Sequence, residues 1–279
     1  MLHLDEHVLT ERMIGIYKRA LLNGEARVRA TKRLLDIVVA SVGLTMGAPL
    51  LLAASLGVKL CSSGPILYRA RRMGRDRRRV RAPSESSAYQ PDRRVADYGR
   101  EFTMYKFRTM HANHRGGDPI TARHDARVFP FGAWLRATKI DELPQLVNVL
   151  KGDMSLVGPR PEAPEIVRAH YTADDMLTLK VPPGITSPGT IYYYAHGEKL
   201  LEGDRVMERY VEQLLPVKMA LDRVYLRRGT VLYDVRLILR TMNVIIGRAL
   251  GRQRCPDMPE LVESGVRLES PRASRVPVA

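Results

Sequence analysis

The chain has 279 residues, with 45 Lys and Arg against 30 Asp and Glu, which gives a formal net charge of +15 at pH 7. This length allows one or two domains with a buried core, and a hydrophobic content of 45% excludes global disorder. A mean hydropathy of −0.21 excludes a protein made mainly of membrane helices. The positive charge suits nucleic acid, an anionic membrane surface or phosphorylated substrates, and composition does not choose among them. The two cysteines, Cys61 and Cys255, exclude a disulfide framework and lack metal-site spacing.

Residues 1–30 are predicted to form an N-terminal helical extension, because apolar residues such as Leu9, Met13 and Ile16 recur at helical spacing. We expect no cleaved signal peptide, since the first long apolar run begins only after residue 33.

The apolar run from Ile37 to Val58 contains no charged residue, and its length matches a membrane helix of about 20 residues. Pro49 lies near its middle, where a proline kinks or breaks a helix. Basic residues flank both ends, with Lys32 and Arg33 before the run and Lys59 after it. A simple spanning helix places Lys and Arg mainly on the cytoplasmic side. Three interpretations remain open on this pattern: a re-entrant helix with both ends on one face, a spanning helix, and a helix in a soluble core.

A short strand is predicted at residues 65–69, followed by eight arginines between Arg69 and Arg81. Residues 77–99 are rich in Pro, Ser, Asp and Arg and are predicted to form a solvated insertion loop. This loop would either contact anionic lipid headgroups or have no specific role.

The remaining chain is predicted to be mostly helical. A second strand is expected at 101–110, because β-formers alternate there with Lys106 and Arg108. Tyr192–Tyr194 lie in a Pro/Gly-rich stretch at 182–197. Helices are expected at 126–137, interrupted at Pro130, and at 141–150, 162–180, 204–228 and 231–250. The helices at 204–228 and 231–250 have apolar faces bordered by Arg, which is typical of helices at a membrane surface. For 231–250, packing in the core explains the same periodicity equally well.

Asp141 and Glu142 are adjacent acids at the predicted start of the 141–150 helix. On their own they would most often be a helix cap. Arg160 lies between two prolines in Gly158–Pro161, which restrict its backbone and suit a guanidinium aimed at phosphate. With the cations Lys106, Arg136 and Lys139, these acids make a plausible site for phosphoryl transfer, where Mg²⁺ is commonly bound by carboxylates and phosphate oxygens.

The sequence from Lys139 to Pro161, KIDELPQLVNVLKGDMSLVGPRP, resembles the signature of the bacterial sugar transferases, the monotopic phosphoglycosyl transferases. The similarity extends in order over about residues 31–248. Further matching segments are KRLLDI at 32–37, GPILYR at 64–69, YKFRTM at 105–110, PGIT at 183–186 and LDRVY at 221–225.

The resemblance implies transfer of a sugar 1-phosphate from a UDP-sugar to undecaprenyl phosphate, with release of UMP. Asp141 corresponds to the nucleophile that forms a covalent aspartyl-phosphosugar, and Glu142 to the acid that helps to hold Mg²⁺, with Asp141 beside it. Lys106, Arg136 and Arg160 correspond to the phosphate-binding cations. Such a step begins the membrane stage of exopolysaccharide, O-antigen or glycoconjugate synthesis.

The resemblance also implies a membrane arrangement. The fold class is α+β and mostly helical. It comprises an extension at 1–30, a re-entrant membrane helix at 31–60 broken at Pro49, a cytosolic and interfacial catalytic domain at 61–250 with short strands, and a flexible tail at 251–279. The protein would bind anionic lipids at the cytoplasmic face of the inner membrane, and the family allows a homodimer.

Two features depart from the family pattern. Ala48 replaces a serine that many relatives have before the proline, and residues 187–197 replace a common GLAQVNGR segment, which leaves the substrate's identity open. Two alternative functions are a catalytically inactive, membrane-anchored adaptor and a basic nucleic-acid-binding protein. The arginines at 69–81 lack interleaved aromatic residues, and no helix-turn-helix or RNA-recognition pattern is present, so we expect no nucleic-acid partner.

Overall fold

A computed structural model describes residues 25–76, 99–111, 125–197, 200–201, 205–250 and 258–266. Of the predicted extension at 1–30, residues 1–24 lie outside the described residues, and so do residues 77–98 of the predicted loop at 77–99. The coarse fold class is confirmed, because the described part of the chain is mostly helical with short strands.

Helix α1 (Glu25–Cys61) contains the apolar run, and its segment Ala30–Cys61 is long and apolar enough to cross a membrane. Pro49 lies inside α1, and helical structure is assigned on both sides of it. A proline can bend a helix without ending it, so the break expected at Pro49 stays a prediction. A proline removes one helical hydrogen bond, and the turns on either side keep theirs. Only 11% of the most apolar window of α1 is buried, whereas a core helix of a soluble protein would be largely buried.

The N-terminal part of α1 is held by polar contacts to the rest of the protein. Lys32 donates to the carbonyl of Val157 at 2.9 Å, and Arg33 donates to the carbonyl of Leu150 at 2.8 Å. The buried Asp36 accepts a hydrogen bond from the backbone N–H of Leu156 at 2.9 Å. These contacts satisfy charged groups that would otherwise be expensive to bury.

The C-terminal part of α1 packs on the same folded unit through apolar contacts. Ala54 and Val58 are buried in a cluster with Phe107, Phe129 and Leu135. Both ends of the apolar helix are therefore attached to one domain.

Two small sheets lie among the helices. Strands β1 (Leu67–Met73) and β2 (Glu101–Phe107) are antiparallel, with Leu67 opposite Phe107. Strands β3 (Ser155–Val157) and β4 (Gly184–Thr186) are parallel. The helices after α1 are α2 (Pro130–Ala137), α3 (Gln145–Lys151), α4 (Pro164–His170), α5 (Pro188–Tyr192), α6 (Val206–Arg209), α7 (Leu215–Arg228), α8 (Val231–Ala249) and α9 (Pro259–Ser264). Two 3₁₀ turns (Ile140–Glu142, Asp175–Lys180) and two π-helical turns (Tyr193–Gly197, Tyr210–Leu214) complete the described elements.

Helices α7 and α8 differ in exposure. The sequence predicts α7 at a membrane surface, and for α8 it leaves a membrane surface and core packing equally open. Most of α7 is buried, so that prediction is wrong for this helix, which forms part of the core. Helix α8 buries one face and exposes the other. The apolar stripe, as we call the exposed residues of α8 and its end, consists of Leu232, Val235, Leu239, Met242, Ile246 and Leu250.

Two further boundaries differ from the prediction. Helix α2 begins at Pro130 rather than being interrupted there, because a proline at the first helical position needs no N–H partner. Of the tail predicted to be flexible at 251–279, residues 251–257 and 267–279 lie outside the described residues. Its described part contains helix α9, whose buried Glu260 accepts hydrogen bonds from Tyr233 at 2.7 Å and from Arg240 at 2.6 Å. A helix this short has no periodicity that a sequence pattern could detect.

Candidate active site

Asp141 and Glu142 lie in a 3₁₀ turn immediately before α3. The prediction of one helix from 141 to 150 is wrong at its start, since α3 begins at Gln145. Pro144 cannot donate a backbone hydrogen bond, so the preceding turn is closed by 3₁₀ bonds such as Glu142 N–H to Lys139 O at 3.1 Å. The acids therefore project from a tight turn that precedes α3 in the chain.

Asp141 is buried and only partly neutralised. Its Oδ2 lies 3.6 Å from Lys106 Nζ, and its buried Oδ1 has no hydrogen-bond partner among the described residues. Burial raises the pKa of Asp141, and the charge of Lys106 offsets part of this shift. An ionised Asp141 thus has one oxygen free to bind or attack an electrophile.

Glu142 is held by several donors. Arg160 donates to both of its oxygens, at 3.0 Å to Oε2 and 2.5 Å to Oε1, in a bidentate pair. Lys106 lies 3.2 Å from Oε1, and the Tyr194 hydroxyl donates to Oε2 at 2.9 Å. Burial opposes ionisation, but Arg160 and Lys106 outweigh it and hold the pKa of Glu142 well below its usual range.

The cations reach the acids from separate elements. Lys106 comes from β2, and Arg160 follows β3 in the Gly158–Pro161 loop. This loop is fixed against β4, because the N–H of Gly158 donates to Thr186 O at 2.9 Å and the N–H of Gly184 to Pro159 O at 2.9 Å. The predicted grouping of Lys106 and Arg160 with the acid pair is observed in the structure.

The other two predicted positions stand apart from these contacts. Arg136 donates through Nε to Thr109 Oγ1 at 2.7 Å, and its charge weakly opposes the rise in the pKa of Asp141. Pro49 is exposed on α1. Arg136 therefore lies near the acid pair without an ion pair to it in the structure.

Sequence reasoning left Tyr194 without a role and named Lys139 only as a neighbouring cation. Lys139 Nζ lies 4.2 Å from the centroid of the Tyr194 ring, and burial lowers the pKa of this lysine. The consecutive tyrosines were a visible signal, but nothing local to them indicated contact with residues some fifty positions earlier.

The acid pair supplies part of what a Mg²⁺ site needs. This ion commonly takes one or two carboxylates, with phosphate and water oxygens completing its shell. Asp141 offers a free oxygen, whereas both oxygens of Glu142 already accept hydrogen bonds. In the described segments no cluster of three or more His, Cys, Asp or Glu residues is present. The donors therefore fit a Mg²⁺ ion that takes most of its ligands from phosphate and water, and Glu142 as a ligand stays a prediction.

The sequence is similar to those of known proteins. A family profile described as "Bacterial sugar transferase" matches residues 27–83 and 80–248. The UDP-glucose:undecaprenyl-phosphate glucose-1-phosphate transferase of Caulobacter vibrioides is 36% identical over 225 residues, covering 77% of this chain and 69% of the relative. The Escherichia coli protein of the same name is 33% identical, over 77% of this chain and 40% of the relative.

A third relative carries a different sugar in its name. The UDP-N-acetylgalactosamine-undecaprenyl-phosphate N-acetylgalactosaminephosphotransferase of Aeromonas hydrophila is 30% identical, over 77% of this chain and 43% of the relative. The chain thus spans less than half the length of the Escherichia coli and Aeromonas proteins. The matched region contains the acid pair and every cation described around it, and the chain belongs to the bacterial sugar transferase family, a family of enzymes.

Proposed function

We propose that the chain transfers a sugar 1-phosphate from a UDP-sugar to undecaprenyl phosphate through a covalent intermediate on Asp141. The observation that carries this proposal is the buried Oδ1 of Asp141, which no described residue hydrogen-bonds, beside Lys106 and an Arg160-bound Glu142. The names of the three relatives support the substrate classes, and because they differ in the sugar, we assign none.

In the first step, an Asp141 carboxylate oxygen attacks the phosphorus next to the sugar. A new P–O bond forms to Asp141, the bond to the bridging oxygen breaks, and UMP leaves with the electron pair. Lys106, Lys139 and Arg160 place positive charge where the phosphoryl oxygens gain negative charge.

In the second step, an oxygen of the lipid phosphate attacks the same phosphorus. The bond to Asp141 breaks, the carboxylate returns, and a polyprenyl diphosphate sugar is released. A bound Mg²⁺ would add charge neutralisation at the substrate phosphates. The raised pKa of Asp141 suits a carboxylate that must react with an anionic phosphate, because a more basic oxygen is a better nucleophile.

We further propose that the protein lies at the cytoplasmic face of the inner membrane with α1 as a re-entrant element. The exposed apolar surface of α1 and the apolar stripe of α8 support contact with lipid. A polyprenyl acceptor stays in the bilayer and a nucleotide sugar stays in water, so the acids must act near the boundary between them.

The test is Asp141→Asn in the purified, detergent-solubilised protein with UDP-sugars, Mg²⁺ and undecaprenyl phosphate. We expect UMP release by the wild type and a loss of at least about 10³-fold in the variant, since the nucleophile is removed. Asp174→Asn, at an exposed position, is the matched control and should keep full activity.

Labelling with a UDP-sugar carrying ³²P in the phosphate next to the sugar should leave label on wild-type protein and none on Asp141→Asn. Undiminished turnover by Asp141→Asn would refute the nucleophile. Absence of UMP release from the wild type across UDP-sugars would instead favour an inactive membrane-anchored adaptor.

A further inference from the structure

Tyr194 contacts two functional groups of the site at once. Its hydroxyl donates to Glu142 Oε2 at 2.9 Å and accepts from Arg160 Nη1 at 3.3 Å. The residue is buried, with 4% of its surface exposed. Tyr194 is therefore a third partner of the Glu142–Arg160 ion pair rather than a bystander.

The ring of Tyr194 faces cations as well. Lys139 Nζ lies 4.2 Å from the ring centroid and Arg160 Cζ lies 5.9 Å from it, both within the range of cation–π attraction. Lys139 has a left-handed backbone with φ of 59°, the sole positive φ among the non-glycine residues described. Such a conformation persists when its surroundings enforce it, and here it immediately precedes the acids.

The backbone that carries Tyr194 is unusual and fixed. Tyr193–Gly197 form a π-helical turn, a wider turn that is frequent at functional sites. Arg248 of α8 donates to the Tyr194 carbonyl at 2.5 Å. The position of the phenol is thus set by a helix outside the acid turn.

Among the described residues, five charged or titratable groups lie around Glu142. Lys106 reaches it from β2, Arg160 from the loop after β3 and Tyr194 from the π-helical turn, while Asp141 and Lys139 belong to its own turn. Burial and the charge of Glu142 hold the pKa of Tyr194 well above its usual range, so the phenol remains a hydrogen-bond donor. Without the hydroxyl, Oε2 would keep Arg160 as its one described donor, and the ion pair could rotate.

We propose that Tyr194 is a positioning residue, which holds the Glu142 carboxylate and the Arg160 guanidinium in a single arrangement beside the reacting Asp141. This inference rests on the function proposed above. Tyr194 acts through these two groups, and no contact between the phenol and substrate is required.

The test is Tyr194→Phe, which removes the hydroxyl and keeps the ring over Lys139. We expect kcat to fall about tenfold with KM little changed, because the acid pair is misplaced at the reacting centre. The rate is measured per folded molecule, so a merely structural loss would not produce this split between kcat and KM.

The matched control is Tyr233→Phe. Tyr233 is also buried and donates to a carboxylate, Glu260, at 2.7 Å, so both variants lose one buried hydrogen bond. We expect Tyr233→Phe to lower the melting temperature by a similar amount and to leave kcat unchanged. Unchanged turnover in Tyr194→Phe, or an equal fall in kcat in Tyr233→Phe, would overturn the positioning role.

If Tyr194→Phe does not fold, Arg248→Ala provides the second variant. It frees the Tyr194 carbonyl while keeping the phenol, and should lower kcat with KM little changed; an unchanged kcat would count against the proposal. Failure of wild-type UMP release would contradict the proposed function alone. The inference would then be judged from a crystal structure of Tyr194→Phe, in which the Glu142 carboxylate or the Arg160 guanidinium must leave its wild-type position. An unchanged arrangement of the two groups would overturn it.

Discussion

Asp141 and Glu142 are neighbours in sequence whose pKa values shift in opposite directions. Burial dominates at Asp141 and raises its pKa, whereas Arg160 and Lys106 overcome burial at Glu142 and lower its pKa. Two carboxyl groups whose pKa values are pushed apart commonly have different tasks. Asp141 is suited to react, and Glu142 is suited to stay ionised and to organise the cations around it.

Another buried acid, Asp222, should make stability depend on pH. Burial raises its pKa from 3.8 to about 6, although Ser187 and Lys218 oppose the shift. A raised folded-state pKa means that Asp222 supports folding fully below the unfolded pKa, and that this contribution is lost as pH rises to about 6. At about 1.4 kcal/mol per pH unit, we expect wild type to lose about 2 kcal/mol relative to Asp222→Asn between about pH 4 and pH 7.

Urea unfolding in detergent at these two pH values measures the difference directly. The exposed Asp174→Asn serves as the control and should follow the wild type. Equal pH dependence of wild type and Asp222→Asn would contradict the shift.

At the residue scale, sequence reasoning found the groups whose chemistry is carried in short motifs. The adjacent acids and the proline-flanked Arg160 were visible in this way, and Lys106 lay in a matching segment. Tyr194 could not be assigned, because its contact with Glu142 depends on a π-helical turn and on Arg248 of another helix. Contacts set by the packing of distant elements leave no local pattern.

At the scale of elements, the site depends on close approaches between backbones. Helix α2 lies against the end of β2 at Gly132, where an added Cβ would be 2.3 Å from the carbonyl oxygen of Thr109. The same Thr109 accepts a hydrogen bond from Arg136, one turn further along α2. The glycine therefore permits the approach that places Arg136 near the acid pair.

Gly132→Ala should force α2 away from Thr109. We expect a loss of about 1–3 kcal/mol in the free energy of unfolding, since a rigid backbone atom cannot yield as a side chain can. Gly47→Ala in α1 is the matched control, because nothing lies within 4 Å of an added Cβ there. Thermal denaturation should show a lower melting temperature for Gly132→Ala alone, and equal melting of both variants would contradict the argument.

Element types were predictable where the pattern was strong, as in the long apolar run of α1 and the helical periodicity of α8, and boundaries were not. The start of α3 shifted because Pro144 divides a 3₁₀ turn from the helix. The exposure of α7 was misjudged for another reason. Its charged residues Lys218 and Asp222 are buried, and Lys218 is paired there with Glu162 and Tyr210, so the polar positions did not mark a solvent-facing side.

At the scale of the whole molecule, the attachment of α1 bears on how the protein meets a membrane. Its N-terminal part bonds to β3 and α3, and its C-terminal part packs against α2 and the end of β2. A helix that crossed the bilayer would have to carry one of these attachments, and the polar domain with it, to the opposite side. Desolvating that domain is prohibitive, which favours both ends on one face.

Cysteine labelling tests this arrangement with a residue that the chain already provides. Cys61 is exposed at the C-terminal end of α1, and Ala30 is exposed near the other end, so Ala30→Cys in a Cys255→Ser background gives one reporter at each end. In inverted inner-membrane vesicles, a membrane-impermeant maleimide should modify both cysteines, and in right-side-out spheroplasts it should modify neither. Single-cysteine versions of each reporter assign the labelled position. Modification of the two ends from opposite sides would establish a spanning helix and refute the re-entrant topology.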